Sequence, residues 1–389
     1  MPKTRHILLL IESSRAAGRD LLRGIARYAH HHGPWSFRWK PAGFENTSSA
    51  TPEFQPDGAI LRDIGASDEL VASGLPAVIV EHSRGEVEGL ANVITDSKAI
   101  GRMAAEHLLG CGLKHFAFCG YAGCSWSEAR RASLSENLRQ AGHRTESLAV
   151  RGESTGLPWK QEQKWIIEWL ERLPKPVGLM ACNDDLGQEV IAACKAAHLS
   201  VPDDVAVIGA DNDEIVCGLA DPQLSSVAIN FERAGYEAAQ VLDSLMRGAK
   251  RRTRRIPVHA THVVSRRSTD IVAVEDLALG KALQFVRDHS ATGIPVPEVA
   301  RAAGISRRTL EQRFRTVLGH SVLEEIRRVR TDSIARMLVE TELPVAQIAD
   351  SLGFEDVQHI ARYFRKSRAL SPLAYRKAFG RKHSGQLPG

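Results

Sequence analysis

The sequence predicts an α/β domain built on parallel strands, followed by an all-α domain with two helix-turn-helix units. Three observations lead there. Short apolar runs alternate with helical patterns through the first two-thirds of the chain. Near the carboxyl end one phrase occurs twice in altered form, VPEVARAAGISRRTLEQRFR from Val296 and VAQIADSLGFEDVQHIARYFRK from Val345. The basic charge is gathered in that repeat: of a formal net charge of +5 over 389 residues, the part from Glu275 onward holds 19 Lys and Arg against 13 Asp and Glu, leaving a balance of −1 before it. Such an excess is the electrostatic footprint of a phosphate-binding surface.

From His6, HILLLIE reads as a strand, GRDLLRGIARYAHHH as a helix and WSFRWK as a second strand. DGAIL and AVIV continue the strands; HFAFCG, PVGLMAC and VAVIGA follow, the first two with helices (WSEARRASLSENLRQAG, DDLGQEVIAACKAAH) behind them. Strands each followed by a helix form a doubly wound parallel sheet, whose ligands sit outside the carboxyl ends of the strands. The residues at those ends are polar: the stretch from Glu12 to Arg19, then Arg62 and Asp63, Glu81 and His82, Asn183 and Asp184, Asp211 and Asn212. With Trp126 or Trp35 to stack, such a set suits a neutral polyhydroxylated ligand such as a sugar, because every hydroxyl both donates and accepts. Asp184 and Asp211 are equally suited to capping helices. RRTRR, from Arg251 to Arg255, reads as a solvated loop before one strand, IPVHATHVV.

In each copy of the repeat a short helix runs to a glycine, Gly304 or Gly353, able to take the positive φ of a tight turn. Ser306 and Asp356 stand at the N-cap of the helix that follows. Leu310 with Phe314, and Ile360 with Phe364, fall on one buried face. The opposite face carries Arg307, Arg308, Thr309, Glu311 and Gln312 in the first copy, with Ser306 beside them, and Gln358, His359, Ala361 and Arg362 in the second. Arg and Gln are the side chains that pair bidentately with guanine and adenine edges in the major groove. Arg313, Arg315, Arg365, Lys366 and Arg368 suit phosphates. Between the copies, a helix from Ser321 to Glu340 would span about 30 Å, close to the roughly 34 Å of one DNA turn. DNA is the expected partner.

ESSRAAGRD after the first strand has neither GxGxxG nor a P-loop lysine, so neither an enzyme nor a cofactor is expected. Cys111, Cys119, Cys124, Cys182, Cys194 and Cys217 form no CxxC pair and read as reduced core thiols. His30, His31 and His32 suit the end of a helix better than a metal site. ILLLI is too short for a signal peptide or a membrane span, so the protein is expected in the cytoplasm, away from membranes.

From about Val274 to Phe379 the chain resembles the DNA-binding domain of the AraC/XylS family, including its closing run, here ARYFRKSRALSPLAYRK. That resemblance implies Arg308, Glu311 and Gln312, then Gln358, His359 and Arg362, as base-reading residues. Ala369 and Leu370 stand where family members often have a glycine, and a slightly different turn is expected there. ACNDDLGQEVIAACKAAHLSVPDDVAVIGADNDE, DPQLSSVAINFERAGYEAAQVL and the stretch from Val93 to Gly120 are similar to the effector domain of LacI/GalR repressors, which has the two-lobed periplasmic-binding-protein fold. The match runs from about His6 to Ser268 and implies Arg130, Asn183, Asp184 and Asp211 as contacts to ligand hydroxyls. Ser133-Leu134 replaces the usual Gly-Phe, which leaves Arg131 as an alternative to Arg130.

The expected organisation is a sensor over residues 1–268, a linker over 269–277 and a DNA-binding domain over 278–389. The combination resembles activators of pentose operons. It implies a small sugar effector, a pentose such as xylose, a homodimer on repeated half-sites, and RNA polymerase as a further partner. The same features fit a repressor or a ligand-independent regulator; the first part taken alone fits a carbohydrate-binding protein.

Overall fold

The computed structural model describes residues 4–39, 55–62, 72–81, 85–151, 159–271, 276–289 and 293–380. The first lobe is a six-stranded, wholly parallel sheet of β1 (Arg5–Leu10), β2 (Trp35–Trp39), β3 (Gly58–Arg62), β4 (Ala77–Val80), β5 (Ala91–Thr95) and β11 (Arg254–Val258), in the order β11-β5-β4-β3-β1-β2. The second lobe holds β6 (His115–Tyr121), β7 (Thr145–Val150), β8 (Val177–Ala181), β9 (Val205–Asp211), β10 (Ser225–Ile229) and β12 (Ala260–Val264), ordered β12-β10-β9-β8-β6-β7, with β12 alone antiparallel.

A parallel sheet is covered on both faces, so its central strands are largely apolar, while the edge strands β2, β7 and β11 carry exposed polar residues. In β1, Ile7 and Leu9 join the main core on one face while Leu8 and Leu10 pack with Ala59, Leu61 and Ile79 on the other. The covering helices are α1 (Ala16–His32), α2 (Ser97–Gly110), α3 (Ser125–Gln140), α4 (Trp159–Arg172), α5 (Asp184–Ala196), α6 (Glu214–Leu219) and α7 (Phe231–Met246). Short polar residues start several of them: Asp96 accepts from the Ala99 amide, Asn183 from Leu186 and Asn230 from Arg233. His30, His31 and His32 form the last turn of α1.

One strand is read differently by the fold. IPVHATHVV is two strands, β11 in the first lobe and β12 in the second, parted at His259. Period-two alternation looks the same whether or not the chain changes sheets. Arg254 and Arg255, expected in a loop, belong to β11, and Arg255 pairs with Glu86.

The helical domain comprises α8 (Leu277–Asp288), α9 (Val296–Ala303), α10 (Arg307–Arg313), α11 (Val322–Glu340), α12 (Val345–Ser351), α13 (Val357–Arg368) and α14 (Pro372–Phe379). It has two cores. Leu279, Leu283, Val299, Leu310, Phe314 and Ile326 make the first; Ile334, Leu338, Ile348, Ile360, Phe364 and Tyr375 make the second. α11 contributes one half to each, and starts with a capping box of Ser321 and Glu324. Gly304 (φ 70°) and Gly353 (φ 65°) turn each unit. Ala369 also takes the left-handed conformation (φ 58°), matching Gly319 (φ 74°) in the first unit, so the expected different turn is absent. The backbone follows the repeat although the residue lacks glycine's freedom.

Candidate functional site

The cleft between the lobes is lined by the strand ends. From the first lobe, Arg62 Nη2 donates to Glu12 Oε1 at 2.5 Å and Nη1 to the Glu81 carbonyl at 3.3 Å. From the second, Arg130 on α3 is 2% exposed; its Nη1 donates to the Cys182 carbonyl, its Nη2 lies 3.2 Å from Asp211 Oδ1, and its guanidinium lies over the Trp126 ring at 4.8 Å. Among the described residues Glu12 Oε2, Arg62 Nε and Arg130 Nε are buried without a hydrogen-bond partner. A buried polar atom left unpaired costs about 1–3 kcal/mol, so unpaired donors and an acceptor in one cleft mark a place for a polar ligand. Asp211 (φ 106°) and Asn212 (φ 53°) both sit in left-handed backbone, and Ser226 Oγ and Arg266 hold Asn212 there. Burial pushes the Asp211 carboxyl up while Arg130 pulls it back.

The cleft is closed by bonds from lobe to lobe. Arg15 Nε lies 2.6 Å from Asp185 Oδ1, the Ala16 amide donates to Asp213 Oδ2 at 2.6 Å, and Ser125 Oγ donates to Glu81 Oε1 at 3.2 Å.

The candidates divide accordingly. Arg62, Trp126, Arg130 and Asp211 come together in the cleft, and Asp63 and His82 lie outside the described residues. Arg131 is only half-buried and pairs with Glu128, which leaves Arg130 as the buried arginine. Arg19 is a clasp: it donates to the Ser13 and Ser14 carbonyls and to both Asp213 oxygens. Asp184 is 2% exposed, and both its oxygens are engaged, one by Ser226 Oγ (2.6 Å) and the other by the Asp213 amide (2.7 Å). Burial and the nearby Asp211 charge push its carboxyl well up. Asp184 therefore shapes the 211–213 turn instead of facing the cleft. Asn183 Oδ1 caps α5. Trp35 packs on Tyr28 and Phe37, away from these groups. Glu12 and Glu81, already named among the strand-end residues though no motif carries them, also line the cleft.

On the helical domain, α10 and α13 present similar faces. Arg307, Arg308 and Gln312 are exposed, as are Gln358 and Arg362; Thr309, Glu311 and His359 are half-buried. Ser306 accepts from the Thr309 amide and Asp356 from the His359 amide, fixing the first turn of each helix. Arg315, Arg365 and Lys366 remain exposed. Arg313 and Arg368 are not free for phosphates, since Arg313 donates to both oxygens of Asp276 and Arg368 to Asp332. Fold and faces together define a two-part regulator, a cleft-bearing sensor joined to tandem helix-turn-helix units.

Comparisons with known proteins agree. Residues 105–269 match the periplasmic binding protein-like domain and residues 299–378 a helix-turn-helix domain. The xylose operon regulatory protein of Escherichia coli (strain K12) is 28% identical over 96% of this chain and 97% of its own length; that of Haemophilus influenzae is 27% identical over 95% and 97%. The solved structure of the xylose-binding transcription activator xylR superposes with a TM-score of 0.61 at 28% identity, covering 97% of this chain and 99% of that one. The chain is a transcriptional regulator with a periplasmic-binding-protein-like, sugar-binding sensor domain and a helix-turn-helix DNA-binding domain. These relatives are regulators and not enzymes, and no helix among the described residues is long and apolar enough to cross a membrane.

Proposed function

We propose that the protein is a cytoplasmic, sugar-responsive activator whose effector is a small carbohydrate, a pentose of the xylose type, bound between the lobes. The observation that carries this reading is the set of unpaired buried atoms of Glu12, Arg62 and Arg130, contributed by both lobes. A ligand whose hydroxyls donate and accept would satisfy them and favour the closed form by its difference in affinity for the two states. Trp126 and Asp211 complete the contact set, and the names of the two relatives and of the solved structure point to xylose.

In this reading residues 1–268 sense and residues 278–389 bind DNA as a homodimer on repeated half-sites, recruiting RNA polymerase. Arg308, Gln312, Gln358 and Arg362 read bases, and Arg365 holds phosphate. Calorimetry of the full chain against a panel of pentoses and hexoses tests the effector. Binding of a pentose that Arg130→Ala or Glu12→Gln abolishes supports the reading, and no binding by any sugar refutes it. Reporter transcription with and without that sugar separates an activator from a repressor.

A further inference from the structure

The last helix of the second unit ends on the hinge of the sensor. Within the described residues the chain passes between lobes at Asp96, between β5 and α2, at Asn230, between β10 and α7, and at His259, between β11 and β12. These crossings are laced together. The Asp96 amide donates to the Val258 carbonyl at 3.0 Å, the Asn230 amide donates to the His259 carbonyl at 2.9 Å, and His259 Nδ1 lies 4.0 Å from Asp96 Oδ2. Packed sheets do not deform continuously, so a rotation of one lobe against the other must be absorbed at these points.

α14 sits on the same spot. Asn230 Nδ2 donates to the Phe379 carbonyl and Arg233 Nη1 to the Lys377 carbonyl. Both acceptors belong to the last turn of a helix, where carbonyls have no partner within the helix, and a guanidinium there also meets the negative end of the helix dipole. The Phe379 ring stands edge-on to the His259 imidazole at 5.3 Å. The Tyr375 hydroxyl donates at 2.7 Å to the carbonyl of Thr261, just past the crossing, and is buried. The hinge thus supplies the C-terminal cap of α14. Meanwhile Gln358 and Arg362 on α13 stay exposed, so this docking orients the second reading helix without covering it.

We infer that α14 is the transmission contact of the regulator: lobe closure reaches the second helix-turn-helix unit within one chain, through a helix end seated on the crossings. This inference rests on the proposed ligand role of the cleft. Two variants of the full chain test it. Tyr375→Phe keeps the ring and deletes the hydroxyl. Asn230→Asp keeps the oxygen that caps α7 and deletes the donor to Phe379.

Amide hydrogen exchange without sugar is expected to rise by about fivefold or more in residues 95–97, 229–233 and 258–261 of both variants. The ratio of operator Kd with and without D-xylose, expected at about five or more in the parent chain, should fall to about one while calorimetry still shows D-xylose binding. Leu373→Ala, on the exposed side of α14, should leave both readouts as in the parent. Unchanged exchange at the crossings in both variants, or a preserved Kd ratio, overturns the inference. A parent chain that ignores D-xylose and every other sugar refutes the effector reading, and the exchange measurement still decides whether α14 bears on the hinge.

Discussion

In the first helix-turn-helix unit Glu325 lies buried, 3.2 Å from His320 Nε2 and 2.6 Å from Arg328 Nη2. At the matching place the second unit has Tyr375, packed edge-on against Phe364, with its hydroxyl on the sensor's Thr261 carbonyl. The surroundings are otherwise alike: Phe314 and Phe364 are both fully buried, Gly319 and Ala369 share the left-handed turn, and Ser321 and Ser371 cap the next helix. A buried carboxylate has to be answered by nearby charges, and here His320 and Arg328 of its own unit answer it. A tyrosine packs its ring like a hydrophobe and carries a polar tip beyond the core. One scaffold used twice thus differs at one buried side chain, which in the second unit also reaches the sensor.

The hardest test of this comparison is to remove the core of each unit in turn. Phe314→Ala and Phe364→Ala should each cost about 3–5 kcal/mol in denaturant unfolding. Each should erase one of two protected windows in an operator footprint, and only Phe364→Ala should also loosen the hinge crossings, because Tyr375 leans on Phe364. Equal effects of both at the hinge would show that the units do not differ as described.

Smaller effects should follow at the reading faces. Arg308→Ala and Arg362→Ala should each weaken operator binding by about 1–3 kcal/mol and relax base preference at one position of their own window. Arg365→Ala should weaken binding to every sequence and lower the salt slope by about one. Equal loss on operator and random DNA for Arg362→Ala would mean that the base-reading role is misplaced.

At the shared turn, a Cβ in left-handed backbone costs roughly 1–2 kcal/mol, partly offset by the lower unfolded-state entropy of alanine. Ala369→Gly should thus raise stability by about 0.5 kcal/mol, and Gly319→Ala should lower it by about 1 kcal/mol. Thermal melts that rank them otherwise would place the strain elsewhere.

The least of the expected effects is a pH dependence confined to the first unit. Burial pushes the Glu325 carboxyl up, but Arg328 and His320 outweigh it and hold the group below its usual range. The hydrogen bond to Glu325 raises His320 in return. A histidine raised on folding stabilises fully below its unfolded value of about 6.5, and that contribution is lost as pH rises through the folded value. Melts of His320→Leu, which copies Leu370 of the second unit, should lack this loss between neutral and mildly alkaline pH.

Much of this was legible in the chain because it is local. The caps at Ser306 and Asp356, the glycine turns at Gly304 and Gly353, and the buried pairs Leu310/Phe314 and Ile360/Phe364 each depend on residues within one or two turns of each other. In the cleft, the strand-end rule named Glu12, Arg62, Glu81 and Asp211, the need for a stacking ring named Trp126, and the LacI/GalR resemblance added Arg130. It did not separate them from Arg19 and Asp184, since capping and clasping use the same side chains as ligand binding. Arg313 and Arg368 look free on a helix face until Asp276 and Asp332 arrive from other helices.

By itself the sequence determined the alternating α/β first part, the duplicated helical units and the basic surface, because periodicity, capping chemistry and net charge are properties of neighbouring residues. Only tertiary structure decided that IPVHATHVV changes lobes at His259, that Arg130 turns inward while Arg131 does not, and that α14 ends on Asn230 and His259. Those outcomes depend on which distant groups arrive at a buried polar atom, and a buried polar atom without a partner is too costly to leave to its neighbours in sequence alone.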